Sequence, residues 1–215
     1  YGQVLDYSQK IVFDKNNPKK IINKYDQTYY KTLFKKVFIK ETCEYIAINK
    51  PSGISVQGGS KQKFHIDEML KHISSHDISP KLVHRIDKDT SGLLLIAKNS
   101  KTAKKLTSFF QDQKIIKTYL AIVSPSPIND IGTINLPLSK SSSKAYQRMS
   151  VDQNKGKTAI TEYKVVDKVG SNVALVALYP KTGRTHQLRV HLEYINAPIV
   201  GDNKYRGLSE VYMSS

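Results

Sequence analysis

His84-Arg85-Ile86-Asp87-Lys88-Asp89-Thr90-Ser91-Gly92 runs straight into Leu93-Leu94-Leu95-Ile96-Ala97. The second half is an apolar run bounded by turn-forming residues, which reads as a buried strand. The first half is charged and rich in turn formers, so a reactive side chain in it would be held at the edge of the core. An aspartate ahead of Ser and Gly most often does no more than accept hydrogen bonds in a turn. Asp87 differs from that ordinary case through the company it keeps elsewhere in the chain.

From Phe38 onward strand-like stretches alternate with two or three helices. Tyr45-Ile46-Ala47-Ile48 reads as a strand, and Ile66, Met69, Leu70 and Ile73 recur at helical spacing, predicting a helix over 65–76. A second helix is expected from Ser100, as N-cap, through Ala103, Leu106 and Phe110. Lys117–Ser124, Thr158–Val166 and Asn172–Tyr179 read as strands, the last two joined by a turn at Gly170-Ser171 and therefore antiparallel. Lys181-Thr182-Gly183 makes a tight turn before a helix expected over Arg184–Ile195, with Leu188, Leu192 and Ile195 on one face. The fold class is α+β, a mixed, mainly antiparallel sheet with flanking helices. Residues 1–37, rich in Lys, Asn and Tyr without a sustained apolar period, read as a linker or a remnant, and the resemblance described below makes such a remnant that of an RNA-binding domain. Residues 38–215 read as one domain, which the resemblance described below makes the catalytic one.

Lys and Arg number 34 against 18 Asp and Glu, a formal net charge of +16. Such a surface draws the chain towards a polyanion and makes binding sensitive to salt, although a solvated basic face has the same composition. The 13 Tyr and 6 Phe offer rings that stack on unpaired bases, but most aromatics in a chain of this size belong to its core. Cys43 is the only cysteine, which excludes an intrachain disulfide and a Cys-based metal site and suits a reducing cytoplasm. No apolar run is long enough to span a bilayer, and no signal peptide is evident. His72 and His76 stand four apart, a zinc-compatible spacing, but no third ligand accompanies them and no metal is expected.

Three further motifs accompany the Asp87 stretch. Thr182-Gly183-Arg184-Thr185-His186-Gln187-Leu188-Arg189-Val190-His191 is followed by Pro198-Ile199, Gly201-Asp202 and Tyr205. Lys117-Thr118-Tyr119 forms a Lys-x-Tyr segment, and Asn49-Lys50-Pro51-Ser52-Gly53 closes the first strand. In their order along the chain the four motifs resemble those of the RluA family of pseudouridine synthases, with Ile86 where Leu is usual and Gln57 where a His is common. The resemblance covers about residues 44 to 206 and implies the family's α+β catalytic fold. Val56-Gln57-Gly58-Gly59-Ser60 with the helix after it is most similar to the branch acting on large-subunit ribosomal RNA. The partner so implied is RNA, 23S ribosomal RNA in particular, with transfer RNA as the alternative. A small RNA-binding domain precedes the catalytic domain in many members, and too little of it is legible here to assign one. A monomer needing neither cofactor nor membrane is expected.

The implied reaction breaks the N1–C1′ bond of a uridine, turns the base while it stays bound and joins C5 to C1′. It requires a carboxylate near C1′, and the resemblance gives that role to Asp87, either as nucleophile or as a base on the sugar. A carboxylate in a water-poor pocket picks up a proton unless a cation stands by, so Arg184 is the candidate partner; the commoner fate of an arginine here is a phosphate or a surface charge. Tyr119 is the candidate for stacking on the base and assisting proton removal from C5. Because the uridine must leave its stack, Arg85 is the candidate for filling the space, with His84 assisting or simply packing. Leu188 either borders the base slot or packs on its own helix stripe. Lys50, Lys88, Lys117 and Arg189 are candidate phosphate contacts. The competing readings are a non-catalytic RNA-binding assembly factor on the same fold, and an N-glycoside hydrolase for which no second acid is evident.

Overall fold

The computed structural model describes residues 27–58, 64–75, 78–141 and 148–205, and the chain falls into two compact units, Tyr1–Ser108 and Phe109–Ser215. The first unit holds α1 (Gln27–Val37), β1 (Phe38–Glu41), β2 (Tyr45–Lys50), α2 (Ile66–Ile73), β3 (Lys81–Leu82), β4 (Gly92–Ala97) and α3 (Ser100–Gln111), whose last turn crosses the division. Its sheet has the order β1-β2-β4-β3, with every ladder antiparallel. Alternate residues of a strand share one face, and the face of an antiparallel sheet that meets the core must be apolar. Accordingly Ile46, Ile48, Leu94 and Ile96 of β2 and β4 are buried, while Leu93 at the start of β4 stays exposed.

The helices correct several expected boundaries. α2 starts at Ile66 because the His65 imidazole accepts the Glu68 amide proton and caps it. It buries Ile66, Met69 and Leu70. α3 is capped one residue earlier than the sequence indicates, since the Asn99 side chain accepts the Thr102 N–H at 2.9 Å. Residues 27–37, within the stretch expected to be a linker or the remnant of an RNA-binding domain, form α1, which buries Tyr30, Leu33 and Val37 and lies against α2. Tyr30 stacks flat on His72, ring centroids 4.3 Å apart. His72 is thereby engaged in packing, and His76, its partner in the zinc spacing, lies outside the described residues. So do residues 1–26. Among the described residues no helix is long and apolar enough to cross a membrane.

The second unit holds β5 (Tyr119–Val123), β6 (Ile131–Asn135), β7 (Leu138–Lys140), β8 (Met149–Val151), β9 (Ile160–Val169), β10 (Val173–Pro180) and α4 (Gln187–Tyr194). Its main sheet runs β5-β10-β9-β6, again antiparallel, and β7 pairs with β8. The expected hairpin is present, with Gly170 in the turn and a register shift between Leu175 and Val176. The parallel component expected of a mixed sheet is confined, among the described residues, to one bridge between Ser55 and His65 in the first unit. One core gathers Val123, Ile134, Tyr163, Val176, Leu178 and Leu192; a second gathers Leu138, Ala159, Val190 and Tyr205. α4 begins at Gln187, three residues later than expected, because His186 takes a left-handed conformation at φ 53° that ends the preceding turn.

Candidate active site

In the first unit, β3 leaves β4 after Leu82. The chain from Val83 to Ser91 then forms the Asp87 loop, held down by the buried side chains of Val83 and Ile86. The first support for this loop is His84. Its Nε2 accepts the Leu95 N–H at 2.8 Å, taking the place that a carbonyl of β3 would fill had the strand continued. The second is a turn closed by Thr90 N–H on the Asp87 carbonyl. The third is the segment after β2, where Gly53 at φ 84° turns its N–H onto the Lys88 carbonyl at 2.9 Å and Ser52 donates to the Asp89 carbonyl at 2.7 Å. A residue with a Cβ would be strained at that φ.

Lys50 binds these pieces together. Fully buried, its ammonium donates to the carbonyls of Pro51, Ile54 and Lys88 at 2.9, 2.7 and 3.0 Å. This corrects its candidacy as a phosphate contact, because all three ammonium protons point inward. Burial pulls its pKa from the ordinary 10.5 down to about 8, against the opposing pull of Asp89 and Asp87. A folded-state pKa below the unfolded one means the unfolded chain binds more protons between those values, so stability rises with pH there. The parent protein is therefore expected to gain stability relative to Lys50→Met as pH rises from about 8 towards 10.5. Denaturant unfolding of both proteins across that window checks it, and parallel curves would show that Lys50 titrates as an ordinary lysine.

Asp87 itself is half-buried, Arg85 and Lys88 are exposed, and Asp89 is exposed beside them. The loop thus presents a carboxylate flanked by two basic side chains on a framework fixed by backbone hydrogen bonds.

In the second unit Tyr119 opens β5 opposite Leu178, and Lys117, just before the strand, is half-buried with its pKa lowered by that burial. Arg184 is exposed in the turn before α4, and its Nε donates to the Thr158 carbonyl at 2.9 Å. Leu188 packs against the core around Val123 and Leu192. Arg189 is corrected as a phosphate contact: its guanidinium forms a two-pronged pair with the buried Asp202 at 2.6 and 2.8 Å and lies over the Tyr205 ring. Sequence reasoning missed Gln187, which supports the turn carrying Arg184. It also missed Arg148, which covers Tyr205 at 4.7 Å and pairs with Glu193. For Gln187 the signal was its place inside the Thr-Gly-Arg-Thr-His-Gln motif; for Arg148 there was none.

The sequence profile described as RNA pseudouridylate synthase matches residues 44–194. The chain is 45% identical over 178 residues to ribosomal large subunit pseudouridine synthase C of Rickettsia bellii, covering 81% of this chain and 59% of that protein. Ribosomal large subunit pseudouridine synthase D of Borreliella burgdorferi is 39% identical over 176 residues, covering 78% and 53% respectively. Among solved structures, human RNA pseudouridylate synthase domain containing 4 superposes with a TM-score of 0.69 at 29% identity, covering 83% of this chain and 72% of that one. The chain belongs to the RNA pseudouridylate synthase family. It spans a little over half the length of the curated relatives it matches.

Proposed function

We propose that this chain isomerises uridines of large-subunit ribosomal RNA to pseudouridine, with Asp87 as the carboxylate at C1′. The observation that carries the reading is the Asp87 loop, its motif intact and fastened from below by buried Lys50. The names of the relatives at 45% and 39% identity supply the RNA. Breaking the glycosidic bond needs a carboxylate close to the sugar, and rejoining through C5 needs removal of one proton; no redox step enters. Tyr119 stacks on the base and assists the C5 proton. Arg184 supplies the positive charge that keeps Asp87 ionised, a pairing carried by the motifs. Arg85 contacts the RNA around the extruded uridine, and Lys88 and Lys117 meet phosphates. His84 serves by bracing the loop, and Leu188 by packing. The protein acts as a monomer, and in the cytoplasm, the latter in keeping with its single cysteine.

Mapping pseudouridines in ribosomal and transfer RNA from cells with and without the gene tests this. Loss of one or a few large-subunit sites is expected. Loss confined to transfer RNA would overturn the substrate, and an unchanged map would overturn the activity.

A further inference from the structure

Gln187, first residue of α4, is buried, and its side-chain amide makes every hydrogen bond it can. Oε1 accepts the Thr182 hydroxyl at 2.7 Å and the Arg184 backbone N–H at 2.9 Å. Nε2 donates to the Ile160 carbonyl and to Thr161 Oγ1, both at 2.9 Å. Two lone pairs and two N–H groups are thus all engaged, and this set of partners admits one orientation of the amide only.

The bonds continue outward with a fixed direction. Ile160 N–H donates to Thr182 Oγ1 at 2.9 Å, which leaves the Thr182 proton for Gln187. Thr161, accepting from Gln187, gives its own proton to His191 Nδ1 at 2.9 Å, and His191 Nε2 donates to the Leu136 carbonyl at 3.1 Å. Burial holds the His191 pKa below its ordinary value despite the pull of that carbonyl, the direction that favours the neutral ring this order of donors requires. The chain of bonds ties the Thr182–Gln187 turn to the start of β9, to His191 within α4 and to the Leu136 carbonyl just after β6. A buried network in which every member is satisfied has one low-energy arrangement. The left-handed backbone of His186, uncommon outside glycine, persists beside it because the network leaves the turn no alternative.

What this turn presents is Arg184. Its backbone is held by Gln187 and its Nε by the Thr158 carbonyl, so backbone and side chain are anchored independently and the guanidinium direction is set before any RNA arrives. We propose that Gln187 is a positioning residue for Arg184, acting through the turn without touching RNA. This rests on the reading that Arg184 serves the uridine isomerisation.

A double-mutant cycle of Gln187→Met and Arg184→Met, followed by single-turnover kinetics on large-subunit RNA, tests it. Each single variant should slow the chemical step by about tenfold or more, with RNA affinity within about threefold of the parent. Adding Gln187→Met to Arg184→Met should change the rate by no more than about twofold, because residues acting as one unit are not additive. Thr182→Val removes one hydroxyl of the network and keeps the volume; it should act in the same direction, and it serves if Gln187→Met does not fold. Equal slowing in both backgrounds would overturn the positioning role and make Gln187 a general support of the fold. A parent-like rate in Gln187→Met or Thr182→Val would overturn it too. A parent-like rate in Arg184→Met would instead remove the role given to Arg184, and the inference with it.

Discussion

An Asp87→Asn protein is expected to bind large-subunit RNA within several-fold of the parent and to make no detectable pseudouridine. The amide keeps the size of the side chain, and the loop around it is held by hydrogen bonds from the Lys50 ammonium, the Ser52 hydroxyl and the Gly53 N–H to the carbonyls of Lys88 and Asp89. What is lost is charge and nucleophilicity at C1′. Removing a group that acts only in the chemical step lowers turnover without a matching loss of binding, here by at least about a thousandfold. Nuclease digestion of treated RNA with chromatography of the nucleosides measures the product, and unfolding midpoints confirm the fold. A variant that binds poorly and turns over what it binds at the parent rate would make Asp87 a recognition group.

The second large effect concerns stability. Asp202 is almost wholly buried, takes two hydrogen bonds from Arg189 and accepts the backbone N–H groups of Lys204 and Tyr205. Asp202→Ala leaves a largely buried guanidinium without its partner, and breaking such a pair costs about 3–5 kcal/mol. Burial pushes the Asp202 carboxyl up, but Arg189 and the two N–H groups outweigh it and the pKa lies below the ordinary 3.8. For a carboxylate whose folded pKa is depressed, the stabilisation is complete above the unfolded value and is lost as pH falls through the folded one. Parent and variant should therefore differ fully at neutral pH and converge only below about 3.8. Denaturant unfolding at several pH values measures this. A difference under about 1 kcal/mol at neutral pH would place the pair among solvent-exposed ones.

Much of the fold was legible because its strands announce themselves. Leu94 to Ala97 and Val173 to Leu178 are apolar without interruption, which marks them as strands that feed a core, and Gly170 marks the hairpin between β9 and β10. α1 was illegible because Lys31, Lys35 and Lys36 crowd the same turns as Tyr30, Leu33 and Val37, so the apolar face is narrow. α4 was begun too early since Arg184-Thr185-His186 carries no glycine or proline to mark the turn that His186 completes. The candidate site was legible as motifs but not as directions. Sequence gives the charge of Lys50 and Arg189, while only the fold shows one ammonium turned onto three carbonyls and one guanidinium onto Asp202. Nor does sequence report that Gln187 spends its amide oxygen on the turn before it and its amide nitrogen on the start of β9.

The central claim is that this chain turns uridine into pseudouridine, and forming the C5–C1′ bond must expel the hydrogen at C5. Unmodified large-subunit RNA carrying tritium at uridine C5, incubated with the parent protein, reports that event alone. Tritium should appear in the water, rising to a plateau set by a small number of uridines per RNA. A protein that binds the same RNA and releases no tritium would contradict the account and identify the chain as a binding factor on this fold.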